Sequence, residues 1–154
     1  MAEDDGSAEP CRCDECAIRR TLARYNLRGD RGDLVGLAAT FTEDGILEAP
    51  GIHVAGRDRI VARLEASMAG NKPGLTRVQH HLTTSLIEIN GMGEARCQSY
   101  FLVLTDIGPD HAGSYRDRLV KRDGEWLIAE RSARVSWVSP ETLFVIGRGR
   151  GEGV

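Results

Sequence analysis

Residues 76–138 read TRVQHHLTTSLIEINGMGEARCQSYFLVLTDIGPDHAGSYRDRLVKRDGEWLIAERSARVSWV, and the fold turns on how this stretch is parsed. It divides into four long β segments, Thr76–Ile89, Glu94–Asp106, Ala112–Arg122 and Glu125–Val138. Turn signals separate them: Asn90-Gly91, Gly108-Pro109-Asp110 and Asp123-Gly124. Asn-Gly and Asp-Gly favour tight hairpins because both central residues take positive φ. The segments therefore predict an antiparallel meander.

Upstream of residue 76 the apolar period lengthens to that of helices. Ile18, Leu22 and Tyr25 follow i, i+4, i+7 spacing in a helix expected from Asp14, its cap, to about Arg28, with Gly29 ending it. A second helix is expected from about Arg31 to Phe41, burying Leu34, Leu37, Ala38 and Phe41 and leaving Asp30 at the joint. Short extended pieces, Gly45–Ala49 and Ile52–Ala55, flank a Pro50-Gly51 turn. Gly56–Ala69 reads as a third helix, ended by Asn71-Lys72-Pro73-Gly74. Helices followed by a meander make an α+β domain over 14–139, with the helices covering one sheet face. Residues 1–13 read as a flexible arm, and 140–154 as an extension ending in the tail GRGRGEGV.

The 154 residues suit one domain. Twenty Lys and Arg against 23 Asp and Glu give a net charge of −3, with no basic stripe to hold a phosphate backbone, so nucleic acid is not an expected partner. No apolar run approaches the ~18–20 residues of a membrane span, and the acidic start does not resemble a secretory signal. A cytoplasmic address without membrane contact is expected. Cys11, Cys13 and Cys16 form C-x-C-x-x-C without a second pair, and are read as thiols of the arm; no metal site is expected. The doubled Arg-Gly-Asp at 28–33 is read as coincidental.

Strand parity selects the chemistry. Val78, His80, Leu82 and Leu86 share one face of their segment, while Gln79, His81, Thr83 and Ser85 share the other. His80 should point inward and His81 outward, although Ile87 and Ile89 break the alternation and a bulge would shift it. Tyr25 lies on the inward face of the first helix, Asp30 just past its end, and Asp106 at the close of the strand paired with that of His80. A carboxylate beside an imidazole fixes its tautomer and raises its basicity, and a buried phenol can donate to a developing oxyanion. Tyr25, Asp30, His80 and Asp106 are thus the candidate catalytic residues, suited to proton abstraction beside a carbonyl. Each also has a structural alternative: a core tyrosine, a helix cap, a hydrogen-bonded core histidine and a turn residue. His53, at the cavity mouth or on the surface, joins Tyr100 and Trp137 as candidate substrate-binding side chains. His111 is expected in a solvated turn, and Arg116, Asp117 and Arg118 on a charged outer face. No nucleotide-binding loop, nucleophile elbow or zinc-protease motif is present, so no cofactor is expected.

The order Tyr25-Asn-Leu-Arg-Gly-Asp30-Arg-Gly-Asp33, Phe41-Thr-Glu-Asp44, Gly56-Arg-Asp-Arg-Ile60, Val78-Gln-His80-His81-Leu82 and Tyr115 to Arg131 resembles SnoaL-like members of the nuclear transport factor 2 superfamily. Within it, the set is similar to the scytalone dehydratase and bile-acid 7α-dehydratase group. That resemblance implies a conical α+β barrel, about three N-terminal helices packed on a strongly curved antiparallel sheet. It also implies that Tyr25, Asp30 and His80 meet in a pocket, with Asp106 matching a second acidic residue. The activity expected is a cofactor-independent lyase or isomerase acting on a small, cyclic, mostly apolar molecule, in a homodimer. A non-catalytic ligand-binding module is the first alternative. The second is an accessory subunit resembling the small subunit of aromatic-ring dioxygenases, with Phe101, Val103, Trp126 and Ile128 on an outward apolar face.

Overall fold

The computed structural model describes residues 13–147; residues 1–12, including Cys11 and most of the expected arm, and the tail beyond 147 lie outside the described residues. The chain order is α1 (Asp14–Asp30), α2 (Leu34–Ala38), β1 (Phe41–Ala49), β2 (Ile52–Ala55), α3 (Arg57–Ala69), β3 (Val78–Ile89), β4 (Glu94–Thr105), β5 (Gly108–Arg122) and β6 (Glu125–Val138). No described helix is long and apolar enough to cross a membrane.

The α1 cap is Cys13, whose Sγ accepts from the Cys16 amide at 3.3 Å; Asp14 sits inside the first turn and accepts from Trp126 Nε1 and Lys121 Nζ instead. The helix also runs two residues beyond its expected end, which places Asp30 in its last turn. Ile18, Thr21, Leu22 and Asn26 form its buried face, and the Thr21 hydroxyl bonds the Trp126 carbonyl at 2.7 Å. Asp33 caps α2 by accepting from the Gly36 amide. That helix is shorter than expected because Ala39 and Thr40 turn the chain and Phe41 and Thr42 already belong to β1, where β-branched and aromatic side chains pack well. Phe41 pairs with Ile128 and is fully buried.

The sheet has the order β2-β1-β6-β5-β4-β3. Its meander β3–β6 is antiparallel as expected, but β1 joins β6 in parallel, so the sheet is mixed rather than wholly antiparallel. Its edge strands β2 and β3 do not pair, which leaves a cone-like α+β fold rather than a closed barrel. Helices α1, α2 and α3 pack on its concave side around Ile18, Leu22, Leu37, Phe41, Leu47, Ile60, Leu119 and Ile128.

Bulges set which side chains face inward. In β3 the register shifts between Leu82 and Thr84, so Ser85 and Ile87 turn toward the core while Leu86 faces outward. In β4, Cys97, Ser99, Phe101 and Val103 are buried on the concave side. Trp126 and Ile128 are buried as well, so the outward apolar face expected from these four residues does not include them.

Candidate functional site

The last turn of α1 brings Asp30 against β3, where the carboxylate makes two bonds to one residue. Oδ2 accepts from the backbone amide of His80 at 3.0 Å, and Oδ1 lies 2.6 Å from its Nδ1. Holding both amide and ring fixes the imidazole's direction. With Nδ1 committed to the carboxylate, Nε2 is the atom left to act on a ligand. Both side chains are largely buried, and both line a cavity of about 290 Å³. His81, next in sequence, is exposed.

Tyr25 lines the same cavity. The Arg131 guanidinium carbon lies over its ring, 4.1 Å from the centroid, and equally 4.1 Å from the Tyr115 centroid, the two rings meeting edge-on at 6.3 Å. Burial raises the Tyr25 pKa against the pull of Arg131, so the phenol stays a neutral O–H donor near neutral pH. Arg131 is held in turn by Asp117, through Nε at 2.8 Å and Nη2 at 2.9 Å, with both side chains fully buried. Asp117 therefore faces inward rather than lying on the charged outer face, while Arg116 and Arg118 are exposed.

The apolar lining comes from all layers: Leu34, Leu37, Leu47, Leu64, Val78 and Phe101. Phe101 stacks on Tyr115, with centroids 4.6 Å apart. The segment 139–147, expected from residue 140 onward to be an extension, completes the wall. Ser139 N donates to the Asp110 carbonyl, Lys72 N to the Leu143 carbonyl and Val145 N to Asn71 Oδ1, and Phe144 to Gly147 border the cavity.

Four expected site residues lie elsewhere. Asp106 is exposed and ties the start of β3 to the end of β4, its carboxylate accepting from the Thr76 hydroxyl and the Thr76 and Arg77 amides. Those bonds hold its pKa well below the usual carboxylate range. The turn position that seemed to bring it toward His80 aims it outward. Tyr100 alternates with inward Ser99 and Phe101, and is 55% exposed. His53 alternates with Ile52 and Val54, and faces solvent. Trp137 pairs with Ala112 while Val135 pairs with Gly113; the intervening bulge at Ser136 turns the indole outward, where it is 47% exposed.

His111 is the residue that sequence reasoning misplaced. It lies in β5, buried, lining the cavity with Nδ1 at 2.7 Å from Asp110 Oδ1. Gly108-Pro109-Asp110 reads as a turn, yet β5 begins at Gly108. Counting by twos back from buried Tyr115 through Gly113 reaches His111, a signal that was available.

Among the described residues no cluster of three or more His, Cys, Asp or Glu side chains is arranged to hold a metal ion. The SnoaL-like domain family matches residues 12–132. Rv3472 of Mycobacterium tuberculosis, a protein of unknown function solved as its D26N variant, is 31% identical at a TM-score of 0.70, over 86% of this chain and 77% of that one. A protein provisionally named scytalone dehydratase, from Novosphingobium aromaticivorans, is 26% identical at a TM-score of 0.73, over 92% and 95%. ActVI-ORFA of Streptomyces coelicolor is 27% identical at a TM-score of 0.69, over 79% and 96%. No curated protein matches the sequence.

Proposed function

This chain belongs to the SnoaL-like domain family, and from that premise we propose that it is a cofactor-independent lyase or isomerase of dehydratase type. Its substrate is a small, cyclic, mostly apolar carbonyl compound with a β-leaving group. The observation that carries the reading is the pair of bonds from Asp30 to His80 at the edge of a mainly apolar cavity. The resemblance in fold and sequence to the Novosphingobium protein supports the same class, and the fold with its cavity supports small-molecule binding in either case.

In this reading His80 Nε2 removes the proton alpha to the carbonyl, and Asp30 stabilises the imidazolium that forms. Tyr25 donates to the carbonyl oxygen as it gains charge. The leaving group departs from the β carbon, and the proton held on His80 returns to it. Asp106, tied to Thr76 and Arg77, has no part in these steps.

The probe 3-hydroxy-1-tetralone has the required carbonyl, α-proton and β-hydroxyl, and loses water to give 1-naphthol, which is followed by its fluorescence. His80→Ala and Asp30→Asn are each expected to lower kcat/KM by about 10²–10⁴, the usual worth of a positioned general base. Tyr25→Phe should lower kcat with less effect on KM. Full turnover in both the His80→Ala and Asp30→Asn proteins contradicts the assignment.

A further inference from the structure

The cavity holds a second imidazole with its own carboxylate. The His111 and His80 rings meet edge-on with centroids 6.4 Å apart, and Phe101 and Phe144 flank His111 at 6.1 and 4.9 Å. Asp110 is fully buried and accepts from four groups besides forming part of the strand: the His111 ring, the Thr142 hydroxyl at 2.6 Å, the Leu143 amide at 2.9 Å and, more distantly, the Thr105 hydroxyl at 3.4 Å. A fully buried carboxylate with that many donors is held as an anion, so it takes the Nδ1–H of a neutral His111. In that tautomer Nε2 has a lone pair and no proton. Nε2 has no hydrogen-bond partner among the described residues, and the ring that bears it lines the cavity.

We propose that His111 reads a hydroxyl group: its Nε2 accepts the O–H of a ligand alcohol, so the cavity selects β-hydroxy carbonyl compounds over their ethers and deoxy analogues. The recognition stands on geometry, and its catalytic consequence rests on the lyase reading above. There, the hydroxyl held by His111 is the one that leaves. His80 takes the α-proton, the C–H pair becomes the new C=C bond, and the C–O pair stays with oxygen. The proton on His80 then passes to that oxygen and water departs. His111 accepts the original O–H throughout, and its own protonation does not change. The two histidines thus differ in duty, one cycling a proton and the other choosing and orienting the leaving group.

The test measures binding by calorimetry in the His80→Gln protein, where elimination is blocked. We expect 3-hydroxy-1-tetralone to bind roughly tenfold tighter than 1-tetralone, as one net hydrogen bond implies, and 3-methoxy-1-tetralone to bind no better than 1-tetralone. Adding His111→Phe, which keeps an aromatic ring between Phe101 and Phe144, should remove the preference while 1-tetralone affinity stays within about twofold. The proposal is overturned if the ether binds as tightly as the alcohol, if neither probe binds, if no preference exists before the second substitution, or if the preference survives it. An equal loss of affinity for alcohol and ketone would mark a purely structural His111 and overturns it too. The probe comparison on the His80→Gln protein decides the matter should the double variant fail to fold. Because nothing turns over in this assay, a failure to form 1-naphthol in the unmutated protein removes the lyase reading and leaves hydroxyl recognition to be judged separately.

Discussion

Arg131 carries a full charge into the centre of the domain. Burial alone would lower its pKa, but the Asp117 carboxylate and the two neighbouring tyrosines outweigh that, so the guanidinium stays protonated. Removing the carboxylate as Asp117→Asn should lower unfolding stability by about 3–5 kcal/mol in urea titrations, because an uncompensated buried cation remains. The same substitution loosens the cation beneath Tyr25, so the kcat of the proposed reaction should fall with it. A loss under 1 kcal/mol would show the pair to be dispensable. His111 and Asp110 give a pH dependence of fixed sign. Burial holds the His111 pKa below its ordinary 6.5 against the pull of Asp110. Burial would raise the Asp110 carboxyl, but its bonds from Thr142, His111 and Leu143 hold it below 3.8. The unfolded chain therefore binds more protons than the native one as pH falls through 6.5, and again near 3.8. Urea midpoints should decline from pH 7 to pH 5, and His111→Phe should flatten the upper part of that decline. His80 was found from sequence because Val78 and Leu82 mark its face by simple alternation. His111 was missed because a Pro-Asp pair read as a turn lies within the strand, where Asp110 is the bulged residue between the pairs Leu104–Pro109 and Val103–His111.

Strand β5 depends on a residue with no side chain. A Cβ at Gly113 would stand 2.8 Å from Phe101 Cζ, and closer still to the Arg134 carbonyl. Gly113 thus leaves the room in which Phe101 stacks on Tyr115 beside the cavity. Gly113→Ala should destabilise by about 1–3 kcal/mol, as overpacking does, seen as a lower thermal midpoint with a weakened ketone affinity. An unchanged midpoint would mean that β5 and β6 separate without strain. The lengths of β3 and β6, and the position of α3, were legible from turn residues and apolar period. The α2–β1 boundary was not, since Leu34, Leu37, Ala38 and Phe41 fit a helical face equally well. Pairing of Phe41 with Ile128, far along the chain, settles it. Long-range pairing also decides that β1 runs parallel to β6, which local patterns do not encode. The outward turn of Trp137 likewise follows from a one-residue bulge that the local pattern of Val135 and Trp137 hides.

At the scale of the molecule, the concave side of the sheet is filled by helices and the cavity, while the convex side carries exposed apolar side chains. Tyr100, Leu86 and Trp137 are exposed there, and Leu102 pairs with Ala112, which pairs with Trp137 across three strands. We expect this face to form the homodimer: sedimentation velocity should report twice the 16.8 kDa chain mass, and Trp137→Glu should give a folded monomer. A native monomer at micromolar concentration would contradict that expectation. The cavity wall is likewise a property of the whole, since Tyr25 and Asp30 come from α1, His80 from β3, His111 from β5 and Phe144 from the last described segment. In the proposed reaction His80, aimed by Asp30, removes a proton from carbon beside a carbonyl. The most direct measurement is proton NMR of 1-tetralone in D₂O, which has the acidic C2 protons but no leaving group. The C2 signal should fade with catalytic amounts of the native protein and persist with His80→Ala. Equal rates of deuterium uptake with the two proteins would contradict it.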